Sequence, residues 1–538
     1  MSVDARLAWR ASPRTVASPR AHRAAARTGT PGAVLLVAAG AALLSMLVSL
    51  THGWPTLYND AAAHLDIARR ITDGLTPGLT QVGSVWLPLP QLLMAPLSTV
   101  DWLWHTGLAG AIVGAAAFVY STVRIFGLTH EVTGSRRAAW ASLAVWVTNL
   151  NLLYMQTTPL DEMVMIACTV GAVYHLARWM RSSSLSELAL AGAVTFLGTL
   201  TRYDGWALIL AEAAVVAIWS GLNLRRRGLV QANVLMILSI GGYGIVLWLV
   251  YNLVIFQDPL YFLHSGYSAQ AQQVQQLQIG MLPTKGQVGT SVATLGWAVL
   301  DVAGVAVVTC AVLGAALLLL RGRARTTARN AALLAVLIAP VAFNVVTLVL
   351  GQTTVRVPQM APFHVFNVRY GLEAMPFLAL GAGSLAAFLP GRLRTAPMLA
   401  AAFTMITMVI ATPITLSEGM HGDSVANVPQ ETAAAAFLKA NYHGGRILAD
   451  DSLDSPMLFH TGFGLSEFVT VGFHPYYERA LAAPAGNVRW VVVFAGDAID
   501  AQMHRHPDRF VRFVPVFRAA PLTVYSLPAA SPVVAASR

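Results

Sequence analysis

Asp60 and His64 stand four residues apart in Tyr58-Asn59-Asp60-Ala61-Ala62-Ala63-His64-Leu65-Asp66-Ile67-Ala68-Arg69-Arg70, a polar segment following a long apolar run. On a helix that spacing puts both side chains on one face and Asp66 near the opposite side. A carboxylate so placed can take the proton of an attacking hydroxyl. The imidazole can orient it, hydrogen-bond a phosphate or ligate a metal. Asp60 can equally cap the helix that follows it, and capping and catalysis are compatible. A second acidic pair, Asp161-Glu162, follows Thr157-Thr158-Pro159-Leu160. The helix dipole alone favours Glu162 there, whereas Asp161 can converge with Asp60 on one cavity.

Basic residues supply the complementary chemistry. Thr201-Arg202-Tyr203-Asp204-Gly205-Trp206 interrupts an apolar stretch, and an arginine so placed needs a partner. That partner is either an anionic phosphate or Asp204, whose tie to Arg202 would lock a tight turn. Arg356, His364 and Arg369-Tyr370 lie in or beside a later connection. There Arg369 is either a second phosphate contact or an interfacial anchor.

The chain that must position these groups has 538 residues, 56% hydrophobic and 11% charged, with a mean hydropathy of +0.60. Such a composition requires a polytopic α-helical membrane protein. Spans are expected near 33–51, 103–126, 138–156, 161–180, 230–255, 291–320, 331–350, 372–389 and 397–416. The run 187–221, broken at Thr201 to Gly205, reads as two more, giving about eleven. Threaded this way, the clusters Arg6 to Arg27, Arg124/Arg136/Arg137, Arg178/Arg181, Arg225 to Arg227, Arg321 to Arg329 and Arg392/Arg394 share one side. The positive-inside rule makes that side cytoplasmic. The net charge of +10 is therefore an orientation signal, and without interleaved aromatics it is no nucleic-acid footprint.

Residues 1–32 read as a disordered basic cytoplasmic tail and 33–416 as the transmembrane domain. The long outer segment 52–100 suggests interfacial helices, with Ile67, Ala68 and Ile71 toward lipid and Arg69 and Arg70 toward water. Residues 268–279, rich in glutamine, read as a polar helix or a loop. Cys168 and Cys310 fall inside spans as packing residues. Composition changes after 417, and 417–538 reads as a small extracytoplasmic α/β domain. It has helices over Thr432 to Ala440 and Ala498 to His504. Strands are expected over Arg446 to Asp450 and Trp490 to Phe494, with one or two more between Phe513 and Leu527. Walker, His-Glu-x-x-His, Gly-x-Ser-x-Gly and Cys-x-x-Cys motifs are absent, which disfavours nucleotide-driven chemistry.

In order and side, these patches resemble the GT-C superfamily of polytopic glycosyltransferases, in the branch of protein O-mannosyltransferases and lipid A aminoarabinose transferases. Tyr58-Asn59-Asp60 matches the acidic motif after the first helix, and Pro159-Leu160-Asp161-Glu162 the second acidic position. Thr201 to Trp206 matches the basic turn, and Val368-Arg369-Tyr370-Gly371 the late Arg-Tyr. The resemblance implies inverting transfer of a monosaccharide from a polyprenyl-phosphate carrier to a cell-envelope acceptor, in a bacterial plasma membrane. Asp60 would be the general base, and Asp161 would place the acceptor or a divalent ion. Arg202 and Arg369 would hold the donor phosphate, supported by His64, Glu162, Tyr203, Asp204, His364 and Tyr370. The adjacent Asp-Glu pair frequent in the first motif is Asn59-Asp60 here, so a metal stays open. The Trp-Trp-Asp-Tyr-Gly signature of the oligosaccharyltransferase branch is absent. A lipid or glycan transporter is the alternative; ionisable groups concentrated at span ends argue against it.

Overall fold

A computed structural model describes residues 32–223, 226–265, 268–451 and 455–528, so the basic N-terminal tail lies outside the described residues. Among the described residues, seven helices are long and apolar enough to cross a membrane, and up to nine spans result if two bent pairs each count as one. The chain is therefore a multi-pass membrane protein. The stretch expected as one span over 291–320 is two helices, Val288–Ala303 and Val305–Leu320, bent by 107°. Gly304, at φ 78°, makes the corner. The expected 138–156 span is also broken, into Arg136–Val147 and Leu150–Met155, where Asn149 caps the second piece through Leu152 N–H at 3.0 Å.

Burial sorts the helices. Glu162–Ser182 and the Val368–Phe388 segment are 89% and 83% buried by neighbouring helices, whereas Gly32–Thr51 is only 22% buried. Leu36 and Leu44 on that outer helix face outward, as lipid contact requires. Small residues let the inner helices approach closely. A Cβ on Gly314 would lie 1.9 Å from the Gly381 carbonyl oxygen, and one on Gly205 would lie 2.3 Å from the Gly198 oxygen. Cys168 and Cys310 are free thiols within this packing, as expected.

The glutamine-rich stretch is a helix, Ala269–Gln278. Beyond the spans, Val428–Asn441 and Ala498–Arg505 form the expected helices. The sheet contains β1 (Ile447–Leu448), β2 (Phe468–Val469), β3 (Trp490–Phe494), β4 (Val514–Ala519) and β5 (Leu522–Ser526), in the order β2-β1-β3-β5-β4. β1 runs parallel to β2 and β3, while β5 is antiparallel to β3 and β4. β2 is not among the strands expected from the sequence.

The sheet domain corrects one expectation about the first outer segment. The helix Asn59–Arg70 does not turn Ile67 and Ala68 to lipid; both are buried. Ala62, Leu65 and Ala68 share a core with Leu438, Met457 and Phe459 of the C-terminal domain. Arg69 and Arg70 are not free in water either. Arg69 pairs with Asp73 at 3.1 Å and Asp101 at 2.8 Å, and Arg70 with Asp451. An apolar helical face has the same periodicity whether it covers lipid or protein.

At this junction Asp66 is buried, and burial pushes its carboxyl well above the usual carboxylate range, with Arg70 opposing. Folded chain therefore keeps a proton at pH values where unfolded chain has lost it. The contribution is fully present below the ordinary carboxylate range and is lost as pH rises through the raised folded value. Asp66→Asn should accordingly flatten the fall in melting temperature above that range and raise the value at neutral pH. An unchanged pH–melting profile would contradict the assignment. Within the spans, Gly314→Val should cost at least about 1–3 kcal/mol by overpacking, read as a lower melting temperature in detergent. Gly40→Ala, where a Cβ meets nothing within 4 Å, should be neutral.

Candidate functional site

The two most buried helical segments each bring one charged residue to the same level. Glu162 opens the helix Glu162–Ser182, and Arg369 lies in the 3-10 turn Val368–Ala374 that leads into Met375–Phe388. Arg369 Nε donates to Glu162 Oε1 at 2.7 Å and Arg369 Nη2 to Asp60 Oδ2 at 2.5 Å. Arg202 approaches the same Glu162 oxygen at 3.5 Å. It also reaches Asp161 at 2.7 Å, Asp204 at 3.2 Å and Glu373 at 3.4 Å. The Tyr370 ring lies between the guanidinium groups, 4.7 Å from Arg202 and 5.9 Å from Arg369, and the Tyr58 ring is 4.9 Å from Arg369. Six residues singled out in the sequence thus meet: Asp60, Asp161, Glu162, Arg202, Asp204 and Arg369, with Tyr370 packed between the arginines.

The local alternatives resolve geometrically. Tyr58 is the N-cap of Asn59–Arg70 and no side chain caps that helix; the Asp60 carboxylate is turned to Arg369. Asp161 is the N-cap of the next acidic helix and makes no capping bond, because its carboxylate goes to Arg202. The Arg202 to Asp204 tie does form, alongside the three longer-range contacts. Arg202 therefore engages carboxylates through Nε, Nη1 and Nη2, while Arg369 spends only Nε and Nη2. Of the two expected phosphate contacts, Arg369 keeps Nη1 outside these ion pairs.

Exposure separates the carboxylates. The Asp60 side chain is 39% exposed, against 10% for Asp161 and 1% for Glu162. Asp60 alone is open enough to meet an incoming hydroxyl. His64 lies one turn on, stacked on Trp86 at 4.4 Å, with its Nδ1 2.7 Å from the Gln91 amide nitrogen. Burial lowers the His64 pKa, with Asp161 and Asp60 opposing. A neutral ring accepting at Nδ1 carries its proton on Nε2. Tyr203 stays out of the ionic cluster: its hydroxyl donates to the Val85 carbonyl at 2.9 Å, tying the basic turn to the outer segment that holds Trp86.

His364 does not join the site. It is exposed and bonds Asp423 at 2.8 Å, the carboxylate that also pairs with buried Arg356 at 2.7 Å. The Arg356 charge is paired within the protein. Among the described residues no three His, Cys, Asp or Glu side chains are arranged to hold a metal ion. Four of the carboxylates surround Arg202 instead, so the guanidinium occupies the place where a cation would sit. A divalent ion therefore does not fit this donor set, and no step is derived through one.

Two positioning carboxylates were missed in the sequence. Glu373, on the turn after Arg369, takes Arg202 on one oxygen and the Asn344 amide at 2.6 Å on the other. An acid in an apolar run was its signal. Glu418 accepts the backbone N–H groups of Asn367 at 2.5 Å and Val368 at 3.1 Å, immediately before Arg369. Asn367 is left-handed, at φ 53°, so this carboxylate holds an unusual backbone that aims Arg369. Its helix, Ile414–His421, also accepts the Tyr58 hydroxyl at the Thr415 carbonyl, 2.6 Å away. Glu418→Ala leaves two N–H groups without an acceptor and should cost about 1–3 kcal/mol of stability, with Glu418→Gln intermediate. Equal melting temperatures for wild type and Glu418→Ala would refute that role.

No protein-family model matches the chain, and no curated protein sequence matches it. Solved structures do. ArnT from Cupriavidus metallidurans bound to undecaprenyl phosphate superposes with a TM-score of 0.58 at 12% identity, over 91% of this chain and 98% of that one. Its apo state gives 0.53 at 13% identity, over 90% and 97%. An Archaeoglobus fulgidus oligosaccharyltransferase gives 0.46 at 11% identity, over 92% and 73%. Over about nine tenths of its length, the chain shares its fold with ArnT from Cupriavidus metallidurans.

Proposed function

We propose that the protein is an inverting glycosyltransferase that moves a monosaccharide from a polyprenyl-phosphate carrier to a cell-envelope acceptor. The observation that carries this reading is the contact of half-exposed Asp60 with Arg369, backed by buried Glu162. An acceptor hydroxyl gives its proton to Asp60 as its oxygen forms a bond to the anomeric carbon. The bond from that carbon to the phosphate oxygen breaks on the opposite face, and its electrons leave with polyprenyl phosphate. Arg369 Nη1 stabilises the charge appearing on that oxygen, and a phosphate leaving group needs no strong general acid. The Arg202 network holds Glu162, and through it Arg369, in place. That a neighbour of the same fold binds undecaprenyl phosphate supports a lipid-phosphate donor.

The topology belongs to the same proposal. About eleven spans would place the N-terminus and the arginine clusters in the cytoplasm of a bacterial cell. Asp60, Asp161, Arg202 and Arg369 would then lie on the outer side, at the edge of a transmembrane domain over 33–416. The 417–538 domain would be extracytoplasmic, resting on the Asn59–Arg70 helix beside the site.

Purified protein supplied with radiolabelled decaprenyl- or undecaprenyl-phosphate sugars, mannose and arabinose among them, should form labelled product. Asp60→Asn keeps the shape but not the base, and should lower turnover by about 10²–10⁴-fold in protein that still folds. Wild-type turnover in that variant would remove Asp60 as the base.

A further inference from the structure

A second lipid contact lies far from the ionic site. The outer helix Gly32–Thr51 packs against Leu108–Thr133, and between them runs a groove of about 700 Å³ that includes Leu35, Ala39, Ala42, Met46, Ala116 and Arg124. Small side chains on both helices leave that volume open. Leu35 and Met46 are eleven residues apart, or about 16 Å along a helix. One leaflet's share of a roughly 30 Å hydrocarbon core is similar.

Arg124 gives the groove a polarity. It is 17 residues beyond Gly107, whose Cβ position abuts Pro55 and Thr56 at the Asp60 level. That separation is about 25 Å, so Arg124 lies in the opposite leaflet from the ionic site. Its guanidinium faces the Tyr120 and Tyr174 rings at 5.0 and 4.9 Å. No carboxylate pairs with it among the described residues. The nearby acid Glu187 is taken by Arg178 and His175, each at 2.7 Å. Local charge is therefore positive, and a guanidinium at membrane depth without an acid calls for an anion from outside the protein.

We infer that this groove binds an anionic phospholipid of the leaflet opposite the Asp60 site, its phosphate on Arg124 and one acyl chain along the alanine-lined channel. On the orientation proposed above that leaflet is cytoplasmic; only the leaflet's name rests on that reading. A phosphate pairs with the guanidinium by charge-assisted hydrogen bonds, and the tyrosines hold the arginine at the groove's end. Zwitterionic lipids offer the same chains without net charge.

Native mass spectrometry after exchange into equimolar phosphatidylglycerol and phosphatidylcholine tests this without turnover, independently of the Asp60 chemistry. Wild type should retain phosphatidylglycerol preferentially, and Arg124→Gln should lower that preference about fivefold. Ala116→Leu, at an exposed position, keeps the charge but fills the channel and should reduce retention of both lipids. Equal retention of the two lipids by wild type, or an unchanged preference in Arg124→Gln, would overturn the inference. Displacement of the bound lipid by inorganic phosphate alone would also overturn it, by showing an anion site with no part for the chains.

Discussion

Everything at this end of the helical core is arranged around the burial of one guanidinium. Arg369 joins Asp60, 309 residues earlier, to Glu162, 207 residues earlier, at the ends of the two most enclosed helical segments. Burying a charge is costly unless it is paired with good geometry, and removing one partner of such a pair typically costs about 3–5 kcal/mol. The pairing therefore fixes which helix ends share a level. It also draws the first outer segment inward, over the bundle.

That demand explains features that look unrelated along the chain. The left-handed Asn367 and the 3-10 turn after it are the backbone route that brings Arg369 to Glu162, and Glu418 satisfies the amide groups the turn exposes. The short helix bearing Glu418 is anchored in turn: Asn151 Oδ1 accepts from Thr415 N–H at 3.0 Å and from its hydroxyl at 2.9 Å. Thr415 also accepts Tyr58, which sets the start of the helix carrying Asp60. One eight-residue helix thus aligns both the acid and the arginine of the central contact.

Charge against an apolar background was the legible signal, and it led to Asp60, Asp161, Arg202 and Arg369 and to their shared side. What it could not convey was partnership. In the sequence Arg202 has either an anion or Asp204 for a partner; Glu373 lies far along the chain, at the threshold of an expected span, and Glu418 falls just past the end of another. The sequence pattern located the helices near 432–440 and 498–504 and the buried strand β3, while β4 and β5 fall within the one stretch expected to hold one or two strands. It could not say whether the face of Asn59–Arg70 met lipid or the C-terminal domain, because both are apolar. Nor did it reveal the bend at Gly304, for a run of apolar residues reads the same straight or folded back.

The gradient of exposure across the ionic cluster carries the functional argument furthest. Glu162, Asp204 and Glu373 are 1–2% exposed, and they hold the two arginines from beneath. With Asp60 and Asp161 added, five carboxyl groups face two guanidinium groups, and the floor of the site is fixed. Asp60 is the open acid of the cluster, and it lies against Arg369, whose Nη1 is outside the ion pairs. In the proposed reaction, Asp60, at 39% exposure against 12% or less for the other charged groups of the cluster, is the point at which an acceptor would give up its proton. On the proposed function, a lipid-borne donor would reach Asp60 from the bilayer and its acceptor from water.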